Sequence, residues 1–307
     1  MRRRDFLAGA VALAAGGRAA AAQNPNLSSG SESPQLKAPA GCTDCHHYLY
    51  DPSYPAVSDR VSRPDKATAD DYRQLMRRLG IARHVIVQPS AYGSDNRLLL
   101  DALSGFGAEA RGIAVATPDI SDAELKRLDA LGVRGLRFSF APAGSITQAM
   151  IAPLAQRVEP LGWQVEINAW ARDLPAMIAL LEGLPTPVVL DHFGHIPEPE
   201  GARDALFGQV LRLVDKGKTW VKLAAPYDAT KIGPPTYADS SALARAYVKA
   251  APERLVWGTN WPHPGENPKP DDALLFDLLP DWAPDPAVRN RILVDNPQVL
   301  YGFPPSA

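Results

Sequence analysis

Residues 41–51 read GCTDCHHYLYD, from Gly41 to Asp51. This is a short β-type run that ends in two imidazoles and a phenol. In an extended strand successive side chains alternate between faces, so Asp44, His46 and Tyr48 are expected on one face and Cys45, His47 and Leu49 on the other. A polar ladder of that kind is costly inside a buried parallel strand, at about 1–3 kcal/mol per unsatisfied group. It therefore lines a site, or else it is a pair of hydrogen-bonded core histidines.

Downstream of this stretch the chain alternates short apolar runs with helical patterns. The expected strands are His84–Gln88, Gly112–Ala116, Gly135–Ser139, Trp163–Asn168, Val188–His192, Trp220–Leu223 and Leu255–Thr259. The opening strand and each of these are followed by a segment with helical periodicity, the first at Asp70–Leu79 and the last at Asp271–Leu279, before a final helical tail over 286–301. Counting the opening strand, eight βα units in one domain predict a (β/α)8 TIM barrel, with an open doubly wound sheet as the competing arrangement. The barrel is expected over 41–305.

Polar residues cluster at the expected strand ends: His46 and Tyr48, Gln88 and Ser90, Arg137, Asn168, His192, Lys222 and Asn260. A barrel gathers all strand C-termini at one mouth, so these groups are expected to converge. Within the fifth strand Trp163, Val165 and Ile167 share a face. That leaves Glu166 pointing into the barrel, either as a catalytic carboxylate or in a structural ion pair with Arg137.

Upstream, residues 1–22 combine Arg3-Arg4, Phe6-Leu7, a short Ala-rich apolar run and a small-residue end at Ala20–Ala22. This is the pattern of a twin-arginine export signal, and it predicts a periplasmic mature chain that meets the export machinery as a precursor and has no membrane segment of its own. Residues 23–40 are polar and Ser/Pro-rich and read as a disordered linker. Removing residues 1–22 takes away four Arg and one Asp, leaving 28 basic and 33 acidic residues and a formal charge of −5. That balance excludes a nucleic-acid partner, which would need a basic stripe. The two cysteines, Cys42 and Cys45, would lie about 10 Å apart along a strand, too far for a disulfide, and read as buried thiols.

The motifs DCHHYLYD, VIVQPSAYGSDN, GVRGLRFS, GWQVEI, DHFG, VKLAAPY, WGTNWPHP and ILVDNPQVLYGF, in this order from about Gly41 to Phe303, resemble the amidohydrolase-related family, and most closely its 2-pyrone-4,6-dicarboxylate lactonase-like branch. The resemblance implies a barrel of the metal-dependent-hydrolase type and hydrolysis of a small anionic lactone or a related ester or amide. It implies catalytic roles for His46 and His192, and substrate-binding roles for Ser90, Arg134, Arg137 and His263.

Three positions depart from the family pattern: Tyr48 replaces the second histidine of His-x-His, Asn260 the strand-eight acid and Asp228 an arginine after strand seven. Loss of two ligand types argues against a divalent metal. An amide at 260 cannot take a proton from water, so the base must come from elsewhere, with Glu166 first and Asp228 second. Tyr48 is expected to donate to the oxyanion, and Asp228 to favour a substrate with fewer negative charges. The competing reading is a catalytically impaired barrel that serves as a periplasmic small-anion binding protein.

Overall fold

The computed structural model describes residues 27–57, 63–64, 66–140 and 146–305. The expected export signal therefore lies outside the described residues. Eight parallel strands run in sequential order: β1 Thr43–His47, β2 Arg83–Val87, β3 Ala110–Ala114, β4 Val133–Ser139, β5 Gln164–Asn168, β6 Val188–Leu190, β7 Thr219–Leu223 and β8 Leu255–Trp257. The helices between them are α1 Ala69–Leu79, α2 Arg97–Phe106, α3 Asp122–Ala130, α4 Ile151–Val158, α5 Leu174–Glu182, α6 Ala205–Asp215 and α7 Ala238–Ala250; the short α8, Asp272–Phe276, follows β8. This is a single-domain (β/α)8 barrel.

Local chemistry sets the boundaries. Thr68 and Asp71 form a reciprocal capping box at the start of α1, and Gly80 ends that helix at φ 77°. Satisfying orphan backbone donors at the N-terminus and taking a left-handed residue at the C-terminus are the usual ways a helix is bounded.

Strand β1 does not alternate strictly. Its register against β2 shifts between Asp44 and His47, which turns Asp44 away from the mouth it was expected to share with His46 and Tyr48. The Asp44 carboxylate accepts from the backbone N–H groups of His46 and Thr259 at 2.9 and 3.0 Å, and from the hydroxyls of Thr259 and Tyr72 at 2.6 and 2.8 Å. It thereby clasps β1 to the chain leaving β8. The seam is completed by Asn260 N donating to His46 O and Tyr48 N donating to Trp261 O, both at 2.8 Å. Gly258 is required here, because a Cβ would lie 2.6 Å from His46 Cβ.

His47 points outward, stacked on Tyr72 of α1 with ring centroids 3.5 Å apart, and its Nε2 meets His84 Nδ1 at 2.8 Å. Cys42 and Cys45 are free and buried. Residues 27–40 depart from the expected linker where they are described. Leu27 and Ser28 are buried, Ser29 N donates to Pro270 O, and the Gln35 and Leu36 amides donate to the Asp277 carboxylate. A polar composition does not leave a segment structureless when a barrel surface supplies acceptors for its backbone. Among the described residues no helix is long and apolar enough to cross a membrane.

The buried His47–His84 pair generates a pH dependence. Burial, and then Arg73, lower His84 to about 3, well under its ordinary value. The unfolded chain therefore takes up a proton that the folded one refuses. The stability this confers is present above about pH 6.5 and is lost as pH falls toward 3. His84→Leu is expected to flatten that slope by up to about 1.4 kcal/mol per pH unit, checked by urea unfolding between pH 7 and 4. An unchanged slope would mean that the imidazole does not titrate on unfolding.

Candidate active site

Side chains from five strands meet in one buried ionic cluster at the barrel axis. Lys222 on β7 is fully buried, and its Nζ lies 2.5 Å from Glu166 Oε2, 3.0 Å from His46 Nδ1 and 3.5 Å from Asp191 Oδ1. Arg137 on β4 sits across from it, with Nε 3.3 Å and Nη2 3.2 Å from Asp191 Oδ2 and Nε 3.6 Å from Glu166 Oε1. Two cations thus face two carboxylates, all four buried, which is tolerable only because each charge has opposite partners at hand.

The donors fix the tautomer of His46. An ammonium donates and never accepts, so Lys222 donates to Nδ1, and His46 Nε2 carries the proton. Nε2 in turn donates to Tyr48 Oη at 2.7 Å. Arg137 Nη2 donates to the same oxygen at 2.9 Å, and its guanidinium lies 5.3 Å from the Tyr48 ring centre. Both lone pairs of the phenol are then used, and its own proton remains uncommitted.

Electrostatics sort the carboxylates. Burial and the adjacent Asp191 push Glu166 upward, while Lys222 and Arg137 pull it down. Burial also acts upward on Asp191, but the Lys222 and Arg137 charges outweigh it and hold that group well below the usual range. Burial, helped by Lys222, lowers His46 to about 3, and burial and His46 hold His192 well below an ordinary histidine. Both rings are neutral at physiological pH.

Around the cluster the backbone turns left-handed. His192, Phe193, Gly194 and His195 have φ of 48°, 57°, 67° and 50°, and Asn260 and His263 have 59° and 55°. Such values are disfavoured for residues with a Cβ, and here they aim side chains that a regular β6–α6 or β8–α8 loop would point elsewhere. The His192 ring packs edge-on against His46, centroids 4.9 Å apart, with Nδ1 lacking a partner. Half-buried His195 meets Asn168 Oδ1 through Nε2 at 2.7 Å, Asn168 Nδ2 donates to Ser139 Oγ at 3.0 Å, and Ser90 Oγ donates to Ser139 Oγ at 3.3 Å. These side chains form a polar arc along the rim. A narrow crevice opens beside them, lined among others by His192, His195, Glu198 and Asp228.

Of the residues singled out from sequence, the structure gathers His46, Tyr48, Glu166, Arg137 and His192 into one cluster, with Ser90 and Asp228 on the rim. Asn260 stands at the end of β8, its Nδ2 donating to Tyr227 Oη at 2.9 Å and its Oδ1 without a partner. Glu166 sits mid-strand with one oxygen on Lys222, so it belongs to the ionic cluster rather than to the open mouth. Arg134 does not join the site. It lies near the start of β4 and donates to the Asp129 side chain and to the Asp129 and Val133 carbonyls. Its position only three residues before Arg137 hid the fact that the two occupy opposite ends of one strand. His263 is fully buried and turned away from the mouth, with Nδ1 on Tyr227 Oη at 2.8 Å and Nε2 on Asp272 Oδ2 at 3.1 Å, so it cannot touch a substrate. Asp191, Tyr227 and His195 are additions. Asp191 directly precedes His192, and its place at the end of β6 was the available signal.

His46, Asp191 and His192 offer ligand atoms within 4.8 Å of one another. The Lys222 ammonium already bonds His46 Nδ1 and stands beside Asp191 Oδ1. This donor set does not fit a divalent ion, which would meet a fixed positive charge where its ligands converge.

The sequence matches the family model described as Amidohydrolase over residues 43–303. It is 37% identical over 281 residues to the 2-pyrone-4,6-dicarboxylate hydrolase of Comamonas testosteroni, covering 87% of this chain and 92% of the relative. To the 4-sulfomuconolactone hydrolase of Rhizobium radiobacter it is 34% identical over 272 residues, covering 86% and 91%. Among solved structures, Agrobacterium tumefaciens ATU3138 in its apo form superposes with a TM-score of 0.82 at 31% identity, covering 89% of this chain and all (100%) of that one.

The cluster depends on Lys222. Lys222→Met keeps the length of the side chain and removes the charge, leaving Glu166 and Asp191 to share Arg137 alone. Urea unfolding is expected to show a loss of about 3–5 kcal/mol, part of which returns when Glu166→Gln is added. A loss under about 1 kcal/mol would show that the ammonium does not hold the cluster together.

Proposed function

This chain belongs to the amidohydrolase family, and from that premise we propose that it is a hydrolase opening a small anionic lactone, or a related ester or amide, by attack of water. Both curated relatives carry names of lactone hydrolases. The observation that carries the reading is the uncommitted Tyr48 proton, backed by two donors, the Arg137 guanidinium and the His46 ring that Lys222 holds in turn. Negative charge that develops on a lactone carbonyl oxygen would meet a fixed donor in a water-poor pocket, where such a donor is worth about 10²–10³ in rate. Tyr48 thus takes the part expected of a histidine in the family pattern.

The reaction needs no metal in this reading. Arg137 and Lys222 supply the positive field, and His46 transmits it to Tyr48 through a hydrogen bond. His192 and the rim arc of Ser90, Ser139 and Asn168 offer polar atoms to the carboxylate of the substrate. Asp228, where the resembled branch has an arginine, makes the far side of the cleft acidic together with Glu198, which favours a lactone with a single carboxylate over a dicarboxylate.

The test is turnover by the chain from Gln23 onward, followed as ultraviolet absorbance decay of 2-pyrone-4,6-dicarboxylate and of a monocarboxylate pyrone. Expected are a higher kcat/KM on the monocarboxylate and a kcat loss of about 10²–10³ in Tyr48→Phe at nearly unchanged KM. Silence of the unmutated chain on lactones, esters and amides alike would remove the hydrolase reading.

We also propose that residues 1–22 direct twin-arginine export and that the mature enzyme works in the periplasm. The supporting feature is Arg3-Arg4 followed by Phe6-Leu7 and the Ala-rich run. Replacing both arginines by lysine is expected to retain the chain in the cytoplasmic fraction; undiminished export would contradict the assignment.

A further inference from the structure

Behind Asn260 lies a chain of three side chains that the cluster does not use. Tyr227 follows β7, His263 follows β8 and Asp272 opens α8. Asp272 Oδ2 lies 3.1 Å from His263 Nε2, His263 Nδ1 lies 2.8 Å from Tyr227 Oη, and Asn260 Nδ2 lies 2.9 Å from the same oxygen. His263 and Asp272 are fully buried and Tyr227 is half-buried, so only the tyrosine end can meet solvent or substrate.

Donor and acceptor roles follow from one end of this chain to the other. A carboxylate accepts, so His263 Nε2 carries the proton and Nδ1 is an acceptor. Tyr227 then donates its own proton to Nδ1 and accepts from the Asn260 amide. One lone pair on Tyr227 Oη is left over, and Asn260 Oδ1, buried and without a partner, is a second free acceptor beside it. Two free acceptors fixed on neighbouring side chains are what a water needs to be held by both of its hydrogens. The arrangement repeats the logic of a serine–histidine–aspartate triad, with a phenol in the place of the serine and water as the nucleophile.

We infer that Tyr227, backed by His263 and Asp272, is the base that activates the hydrolytic water in the absence of an acid at position 260. This rests on the hydrolase reading above. The water oxygen adds to the lactone carbonyl carbon as its proton passes to Tyr227 Oη and the tyrosine proton passes to His263 Nδ1. The imidazolium so formed is stabilised by Asp272, and the carbonyl oxygen carries its new charge at the Tyr48 proton. When the tetrahedral intermediate collapses, the ring C–O bond breaks, and the departing oxygen recovers the proton from His263 by way of Tyr227. Tyr227 is the catalytic residue. His263 and Asp272 act through it, and Asn260 positions the water.

Two measurements test this. In steady-state turnover of the pyrone substrates, Tyr227→Phe removes one oxygen and is expected to lower kcat at least about 100-fold with KM little changed, the usual share of a general base. Adding Asn260→Asp to Tyr227→Phe places a carboxylate at the water and is expected to restore kcat at least about tenfold, because a base within reach substitutes for the relay. The second measurement is the ring nitrogen shifts of ¹⁵N-histidine-labelled protein. The His263 resonances, identified by their loss in His263→Gln, are expected to show Nε2 protonated and Nδ1 accepting, with the Nδ1 shift moving in Tyr227→Phe. A kcat within threefold of the unmutated chain in Tyr227→Phe, a double variant as slow as the single one, or an Nδ1-protonated His263 would each overturn the relay. The nitrogen shifts report on the relay with or without turnover, so silence on every lactone would count against the hydrolase reading alone.

Discussion

Lys222 is the residue on which the arrangement of the barrel mouth depends. An ammonium with no exposure to water, placed within 3.5 Å of two carboxylates and an imidazole, has no freedom of role. It can only donate, and that single restriction propagates outward. His46 is confined to one tautomer, Tyr48 receives two hydrogen bonds, and the phenol proton is left for whatever enters. A neutral side chain at position 222 would leave each of those groups a choice. The buried charge is costly to install, and what it confers is orientation rather than net stability.

Strand β1 serves two purposes because it breaks its own alternation. The register shift after Asp44 sends that carboxylate to the seam with β8, where it accepts four hydrogen bonds, while His46 stays on the axis and His47 packs outward against α1. The clasp holds His46 within backbone reach of Asn260. Neither purpose is separable from the other, since Gly258 allows the close approach that both require.

The barrel was legible from sequence because its signal is repetitive: eight apolar runs with helical patterns between them leave few topologies, and α1 runs Ala69–Leu79 where periodicity places a helix at Asp70–Leu79. The identity of the axial residues was partly legible for the same reason, since polar side chains at strand ends in a barrel converge. What could not be read was direction. Alternation assigned Asp44 to the mouth, and a bulge moved it. The family resemblance gave Arg134 a substrate-binding role beside Arg137, and strand length separated them. Motif position gave His263 to the substrate, and the left-handed turn after β8 aimed it at Asp272. Tyr227 closes the motif VKLAAPY, but the motif alone gives it no role without the tertiary contact to Asn260. Polar composition suggested a free linker at 23–40, whereas the described part of it finds backbone partners on the barrel.

The four successive left-handed residues at 192–195 have a bearing on how this chain changes over generations. Three of them carry side chains in a conformation that glycine would adopt without penalty, and each such position costs about 1–2 kcal/mol. Mutation toward glycine or asparagine there would therefore raise thermal tolerance while erasing His192 or His195 from the rim. The turn thus gives up backbone ease for two imidazoles fixed at the rim.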